Sequence, residues 1–290
     1  MDNSLSQDFV LAQNEFNIAL ANGLRVAQKC VRIQTDKVGK IADQLHSRNI
    51  ITALTVKFII NPPKRTGYPG MPPSFILWDK PSLCVLSRCL LETYLIMFYL
   101  CVDNVSTEER DFRLLWWEWH EIAERVRLAE AYGSNDPRLI DERKERDTLV
   151  GNIKSHRFFL QQNVNDQKEL IEKKLNRNRA LIVSLKEIAV NAGIHAGQFR
   201  NAYDYFSQFI HTLPLANCIV DGFTPDSMFL PIRWATAWLA FSIRDFVKLF
   251  PSGKDVTDLE FWQITNFYSD LLATDLSLVK APSPTPNCPQ

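Results

Sequence analysis

Three polar side chains recur at four-residue steps in Tyr203-Asp204-Tyr205-Phe206-Ser207-Gln208-Phe209-Ile210-His211. On a helix that step stacks a phenol, a hydroxyl and an imidazole on one side, leaving Phe206, Phe209 and Ile210 on the apolar side. Far upstream, Arg88 and Glu92 stand four apart in a run over 82–102 that is otherwise dominated by Leu, Cys, Tyr, Phe, Ile and Met. An unpaired charge buried in so apolar a helix is costly, so both need partners, and the two segments are expected to face each other. Arg88 offers a bidentate donor to Glu92 or to a ligand anion. Glu92 can orient one nitrogen of His211 and leave the other as acid or base. Ser207, one turn from His211, makes no nucleophile dyad without an oxyanion site, and none is visible. Arg88, Glu92, Tyr203, Ser207 and His211 are therefore the binding candidates, and His211, Glu92 and Arg88 the catalytic ones. The opposing reading is a buried polar network that fixes helix register with every group satisfied.

These motifs resemble a mostly bacterial, helical family catalogued as domain of unknown function 5677. The resemblance rests on Ser87-Arg88-x-Leu90-Leu91-Glu92 and Tyr203-x-x-x-Ser207-x-x-x-His211, and spans 83–215. A proline commonly follows the histidine closely in that family; here Pro214 stands three residues on. The resemblance implies a helical fold and a shared polar cluster, and no reaction.

Other chemistries leave little trace. The sequence has no phosphate-cradling glycine loop and no H-E-x-x-H. A carboxylate-bridged di-iron bundle needs Asp/Glu-x-x-His on two helices. Asp43-Gln44-Leu45-His46 fits once, without a convincing second copy. Glu118, His120, Glu121 and Glu124 cluster in sequence, but residues one and two apart point to different helix faces, as solvated surface charges do. No metal and no cofactor are expected. Helical ribonucleases of the HEPN superfamily use an Arg, four to six residues and a His to polarise a 2′-hydroxyl and phosphate without metal. Arg113 and His120 have that count, six between, but lack the usual polar residue after the Arg. Arg200-Asn201 has the right start, with His211 too far downstream.

The 290-residue chain carries 33 Lys+Arg against 33 Asp+Glu, so no net field recruits nucleic acid or anionic lipid; a nucleic-acid partner is left open through a local basic patch only. Its hydrophobic share of 46% supports a real core, and ten glycines against many Leu, Ala, Glu, Lys, Arg and Gln favour helices. Six cysteines (Cys30, Cys84, Cys89, Cys101, Cys218, Cys288) show no metal-finger spacing; buried reduced thiols in a cytoplasmic protein are expected. The N-terminus lacks signal-peptide features, and the run over 83–102 reads as the core helix of a soluble bundle rather than a membrane span.

The positioning elements follow from apolar periodicity. A first helix starts at Ser4 or Ser6 and carries Phe9, Phe16, Leu20 and Val31. A second covers about 35–60. Six prolines over 62–81 forbid helix there, and the loop is expected to dock through Phe75, Ile76, Leu77 and Trp78. The Arg88 helix runs to about 102, and Ser106-Thr107-Glu108-Glu109 starts another that ends at Gly133. The charge-rich stretch 138–190, broken at Asn163, reads as a hairpin of two helices of about 25 residues with a narrow apolar stripe. Gly193 and Gly197 bracket a turn before the 203–211 helix. Helices over 231–250 and 256–276 follow, then a proline-rich tail, 281–290, expected to be disordered. The expectation is one all-α domain, 1–280: a multi-helix bundle with a charged helical hairpin inserted at 138–190. Its expected role is a non-enzymatic interaction or regulatory protein of bacterial stress or phage defence, with a protein partner or self-association through the hairpin. The alternative is a metal-independent ribonuclease with His211 or His120 as acid/base.

Overall fold

The computed structural model describes residues 5–31, 33, 35–63, 65–66, 74–75, 78–211 and 225–274. The chain is all-α, a multi-helix bundle, and it divides into two compact units: 1–102 with 185–290, and 103–184.

The first unit contains α1 (Gln7–Cys30), α2 (Lys37–Ile60), α3 (Lys80–Met97), α8 (Leu185–Asn191), α9 (Ala196–Ile210), α10 (Phe229–Leu249) and α11 (Leu259–Ala273). Side-chain caps fix most of the starts by taking up the orphan N–H groups of the first turn. Ser6 accepts from Phe9 N–H at 3.2 Å, Asp36 from Gly39 at 2.8 Å, Asp79 from Ser82 at 3.0 Å, and Asp258 from Phe261 at 2.9 Å. Between α2 and α3 the proline-rich stretch holds a minimal antiparallel pair, β1 (Arg65–Thr66) with β2 (Ser74–Phe75), in which Arg65 faces Phe75. Of the residues expected to dock this loop, Trp78 is buried and meets the Phe9 ring edge-on at 5.1 Å; Ile76 and Leu77 lie outside the described residues, as do Ser4, the 281–290 tail and Pro214.

α10 is the axis of this unit. Every residue from Ala235 to Ile243 is buried, as a helix surrounded on all sides requires, and α10 packs against α1, α2, α3 and α11. Close approach is secured by small residues: a Cβ on Gly23 of α1 would stand 2.6 Å from Ile50 and 3.0 Å from Ile243. Polar ties then set the register. Asn49 donates to Ser242 at 3.0 Å, and Tyr94 donates to Asp245 at 3.0 Å. Burial alone pushes the Asp245 carboxyl up, but its bonds to Arg244 and Lys248 outweigh that and hold it below the usual carboxylate range. The α3 helix continues as a π-helical turn, Phe98–Val102. From Lys80 to Val102 it is long and apolar enough to cross a membrane by length and composition, and most of it is buried inside the unit.

The second unit contains α4 (Thr107–Ala131), α5 (Arg138–Ser155), α6 (Arg157–Gln161) and α7 (Val164–Glu169), the last running into a π-helical turn, Leu170–Leu175. The expected start at Ser106 is present, its hydroxyl accepting from Glu109 N–H at 3.1 Å. At the far end Gly133, with φ of 63°, takes the left-handed conformation that closes the helix. α4 and α5 form an antiparallel hairpin: Phe112 near the start of α4 meets His156 and Phe158, while Glu130 at its end pairs with Arg143. The core gathers Phe112, Trp116, Trp119, Ile122, Val126, Leu149, Ile153 and Phe159.

The charged segment is helical in shorter pieces than the two 25-residue helices expected. His156 and Asn163 each accept from N–H groups of a new helical start rather than letting one helix pass through. Asn178, with φ of 51°, is left-handed, so regular helix lapses until α8. The charged helix α5 pairs with α4, not with the second half of its own segment. Gly193, at φ of 85°, makes the turn expected before α9, but Gly197 is helical: α9 begins at Ala196, seven residues ahead of Tyr203.

Candidate functional site

The sequence paired Arg88 and Glu92 with the Tyr203–His211 stripe, and the packing of α3 against α9 brings four of these five residues together. The Arg88 guanidinium is the hub. Its Nε donates to Glu92 Oε1 at 2.7 Å, one Nη to Ser207 Oγ at 3.1 Å, and the other to the Tyr203 hydroxyl at 2.5 Å. It also lies over the Tyr203 ring, 4.1 Å from the centroid, adding a cation–π contact. Ser207 in turn donates to the Tyr203 carbonyl one turn back, at 2.7 Å. Burial and then the Glu92 carboxylate push the Tyr203 phenol up, against the pull of Arg88, so it stays protonated at neutral pH.

His211 does not join. It is exposed at the C-cap of α9, where its backbone N–H closes the last turn on Ser207 at 3.1 Å. Its imidazole makes no hydrogen bond or ion pair with the other four residues, and Glu92 takes Arg88 instead of orienting it. The reason is geometric. The step of four drifts around a helix of 3.6 residues per turn, and the stripe leaves the shared face by its third member.

A second layer beneath the hub escaped the sequence reading. Cys84, one turn before Arg88, is buried, and burial pushes its thiol up to about 12 despite the neighbouring Lys80 and a hydrogen bond from Tyr205. Burial is also what raises the Tyr205 phenol. Lys80 Nζ sits 5.7 Å from the Phe209 ring and 6.0 Å from the Tyr205 ring. The cysteine cluster in this helix was the available signal, read only as apolar bulk. Cys30, Cys84, Cys89 and Cys101 are free thiols, with Cys89 the one not buried; Cys218 and Cys288 lie outside the described residues.

The remaining sequence candidates are scattered. Arg113 is 4% exposed and held by Asp103 at 2.8 Å and Glu109 at 2.5 Å. His120, two turns on, takes Asn178 Oδ1 at 3.2 Å, and Asn178 donates to Glu124. The two do not meet, because Arg113 is drawn to Asp103, ahead of its helix, and to Glu109 in the first turn. In Asp43-x-x-His46 the aspartate is exposed, while His46 is fully buried and stacked on Phe246 at 4.1 Å. Burial lowers the His46 imidazole to about 4, with the Gly23 backbone opposing. No group of His, Cys, Asp and Glu able to hold a metal occurs among the described residues.

Chemically, the Arg88 cluster can clamp two helices. Its guanidinium bonds the Glu92 carboxylate on its own helix and two hydroxyls of the facing one. No family model matches the chain, and neither a curated protein nor a solved structure was found to be similar to it.

Proposed function

We propose that this is a non-enzymatic interaction or regulatory protein of the cytoplasm, its first unit a rigid scaffold and its second a partner-binding hairpin. The observation that carries the reading is the closure of Arg88 upon Glu92, Ser207 and Tyr203. An arginine awaiting an anion keeps its Nη groups for it; this one engages Nε and both Nη groups with its own chain. Reduced thiols in the core support the cytoplasmic setting. Bacterial stress or phage defence is the setting we propose with it, and the likeness to the domain 5677 family rests on the Arg88 and Tyr203 motifs alone.

The partner-binding face we assign to the turn end of the α4–α5 hairpin. Tyr132 is 86% exposed there, with Leu128 one turn before it and Ile140 in the first turn of α5, also exposed. Large aromatic and aliphatic side chains grouped in solvent mark protein contacts more often than they serve folding. A photo-reactive amino acid at position 132 is expected to crosslink one discrete protein or a second copy of the chain. Tyr132→Glu with Ile140→Glu should abolish that product without shifting the melting temperature. Crosslinking unchanged by the double variant would remove this face.

The rival is a metal-independent ribonuclease. It draws on one observation, the orientation of the His120 ring by Asn178. Incubation of the purified protein with single-stranded RNA in chelator tests it: cleavage lost in His120→Ala would displace the interaction reading.

A further inference from the structure

A second arginine in the first unit is held differently. Arg233 of α10 donates from Nε to the Tyr268 hydroxyl at 3.1 Å and stands 3.9 Å from Glu15 Oε2. Tyr268 itself donates to Glu15 at 2.6 Å. Rings surround the guanidinium: its carbon is 5.0 Å from the Phe267 centroid, 5.4 Å from Phe229 and 5.5 Å from Tyr268. Its two Nη groups hydrogen-bond no described residue. Beside it a cavity of about 150 Å³ opens between α10 and α11, walled by Phe229, Leu230, Trp234, Tyr268 and Leu271.

We propose that this cavity binds a small aromatic monocarboxylate, its ring within the apolar walls and its carboxylate on the Nη edge of Arg233. Size sets the first limit, since an apolar cavity of about 150 Å³ accommodates a benzene ring. Wall chemistry sets the second: Phe229, Trp234 and Tyr268 offer faces and edges for aromatic packing. The head group follows from Arg233. A guanidinium fork matches a carboxylate in two parallel hydrogen bonds, and Glu15 occupies the opposite, Nε side, where it steadies the fork without covering it. Arg233 is among the residues that line the cavity, and a charged group beside a mostly apolar pocket is a common plan of a small-ligand site. An ammonium head would meet the guanidinium charge, and a ligand without a ring would leave the walls unfilled.

Calorimetric titration of the full chain with phenylacetate, acetate and benzylamine tests this. Phenylacetate should bind, with acetate at least tenfold weaker and benzylamine silent. Arg233→Gln should weaken phenylacetate at least tenfold. Because that change also disturbs Glu15 and Tyr268, Leu271→Trp serves as the second variant; Leu271 is partly exposed, so its enlargement plugs the cavity from outside while sparing the core. It should abolish binding with the helical signal unchanged. No phenylacetate binding up to about 10 mM, equal binding of benzylamine, or full binding by Leu271→Trp would each overturn the proposal. So would a dimer of the wild-type chain that Leu271→Trp dissociates and phenylacetate does not, since a second copy would then be the occupant.

Discussion

Arg88 and Arg233 are two versions of one arrangement: an arginine in an apolar helix, lying against a tyrosine ring and beside a glutamate. The first closes on itself, with Nε on Glu92 and both Nη groups on Ser207 and Tyr203. The second spends Nε on Tyr268, its Nη groups hydrogen-bond no described residue, and it lies beside an apolar cavity. The difference lies in the neighbouring helix. α9 presents Tyr203 and Ser207 one turn apart, so two hydroxyls reach across together. α11 presents Tyr268 with Leu271 and Leu272, so one hydroxyl reaches across and the rest is apolar. A charged side chain in a core is thus a fastener or a receptor according to whether the facing helix engages both Nη groups.

The comparison can be sharpened by perturbations of decreasing size. Acid should act through neither arginine. With its imidazole lowered from the ordinary 6.5 to about 4 by burial, His46 is neutral in the folded chain while the unfolded chain takes up the proton first. Its contribution is whole above pH 6.5 and is lost as pH falls toward 4, amounting to about 3 kcal/mol. Denaturant titrations of wild type and Arg88→Ala should therefore fall in parallel from about pH 7 to pH 5, and His46→Leu should flatten both.

Arg88→Ala comes next, costing about 2–3 kcal/mol at neutral pH, because it strands a half-buried carboxylate and two hydroxyls. Arg233→Gln should cost about 1 kcal/mol, since its contacts are fewer and longer, and its clearer effect is the loss of phenylacetate. Tyr203→Phe and Ser207→Ala, each removing one neutral partner, should cost about 1 kcal/mol apiece and combine non-additively with Arg88→Ala. The smallest expected effect is at His211, whose replacement by alanine should stay within about 0.5 kcal/mol as at other exposed positions.

The helices and their caps were legible because both signals are local. Ser6 and Ser106 each sit just before an apolar-periodic run, whereas the cap at Asp258 lay inside the expected 256–276 helix. The pairing of α3 with α9 was legible for a different reason: two charges in the apolar 82–102 run demand partners, and the Tyr203 stripe is polar on one face. The same reasoning applied to Arg233 would have found the second site. It was passed over because its partner Glu15 lies on α1 and its wall on α11, and no local spacing joins them. His211 misled, since a four-residue step looks constant in sequence while it turns away from a fixed neighbour in space. The charged segment misled too: Asn163 was read as the sole break in the hairpin, whereas His156 and the left-handed Asn178 interrupt it as well.

The central claim, that the Arg88 cluster is a closed fastener and not an active site, is tested most directly by a double-mutant cycle. Unfolding free energies would be measured for wild type, Arg88→Ala, Tyr203→Phe and the double variant, with RNA cleavage assayed on the same samples. A coupling of about 1 kcal/mol or more, no cleavage by any of the four, and an indifferent His211→Ala are the results predicted here. An Arg88→Ala chain as stable as the wild type, but lacking an activity the wild type shows, would contradict the account and make the cluster a catalytic site.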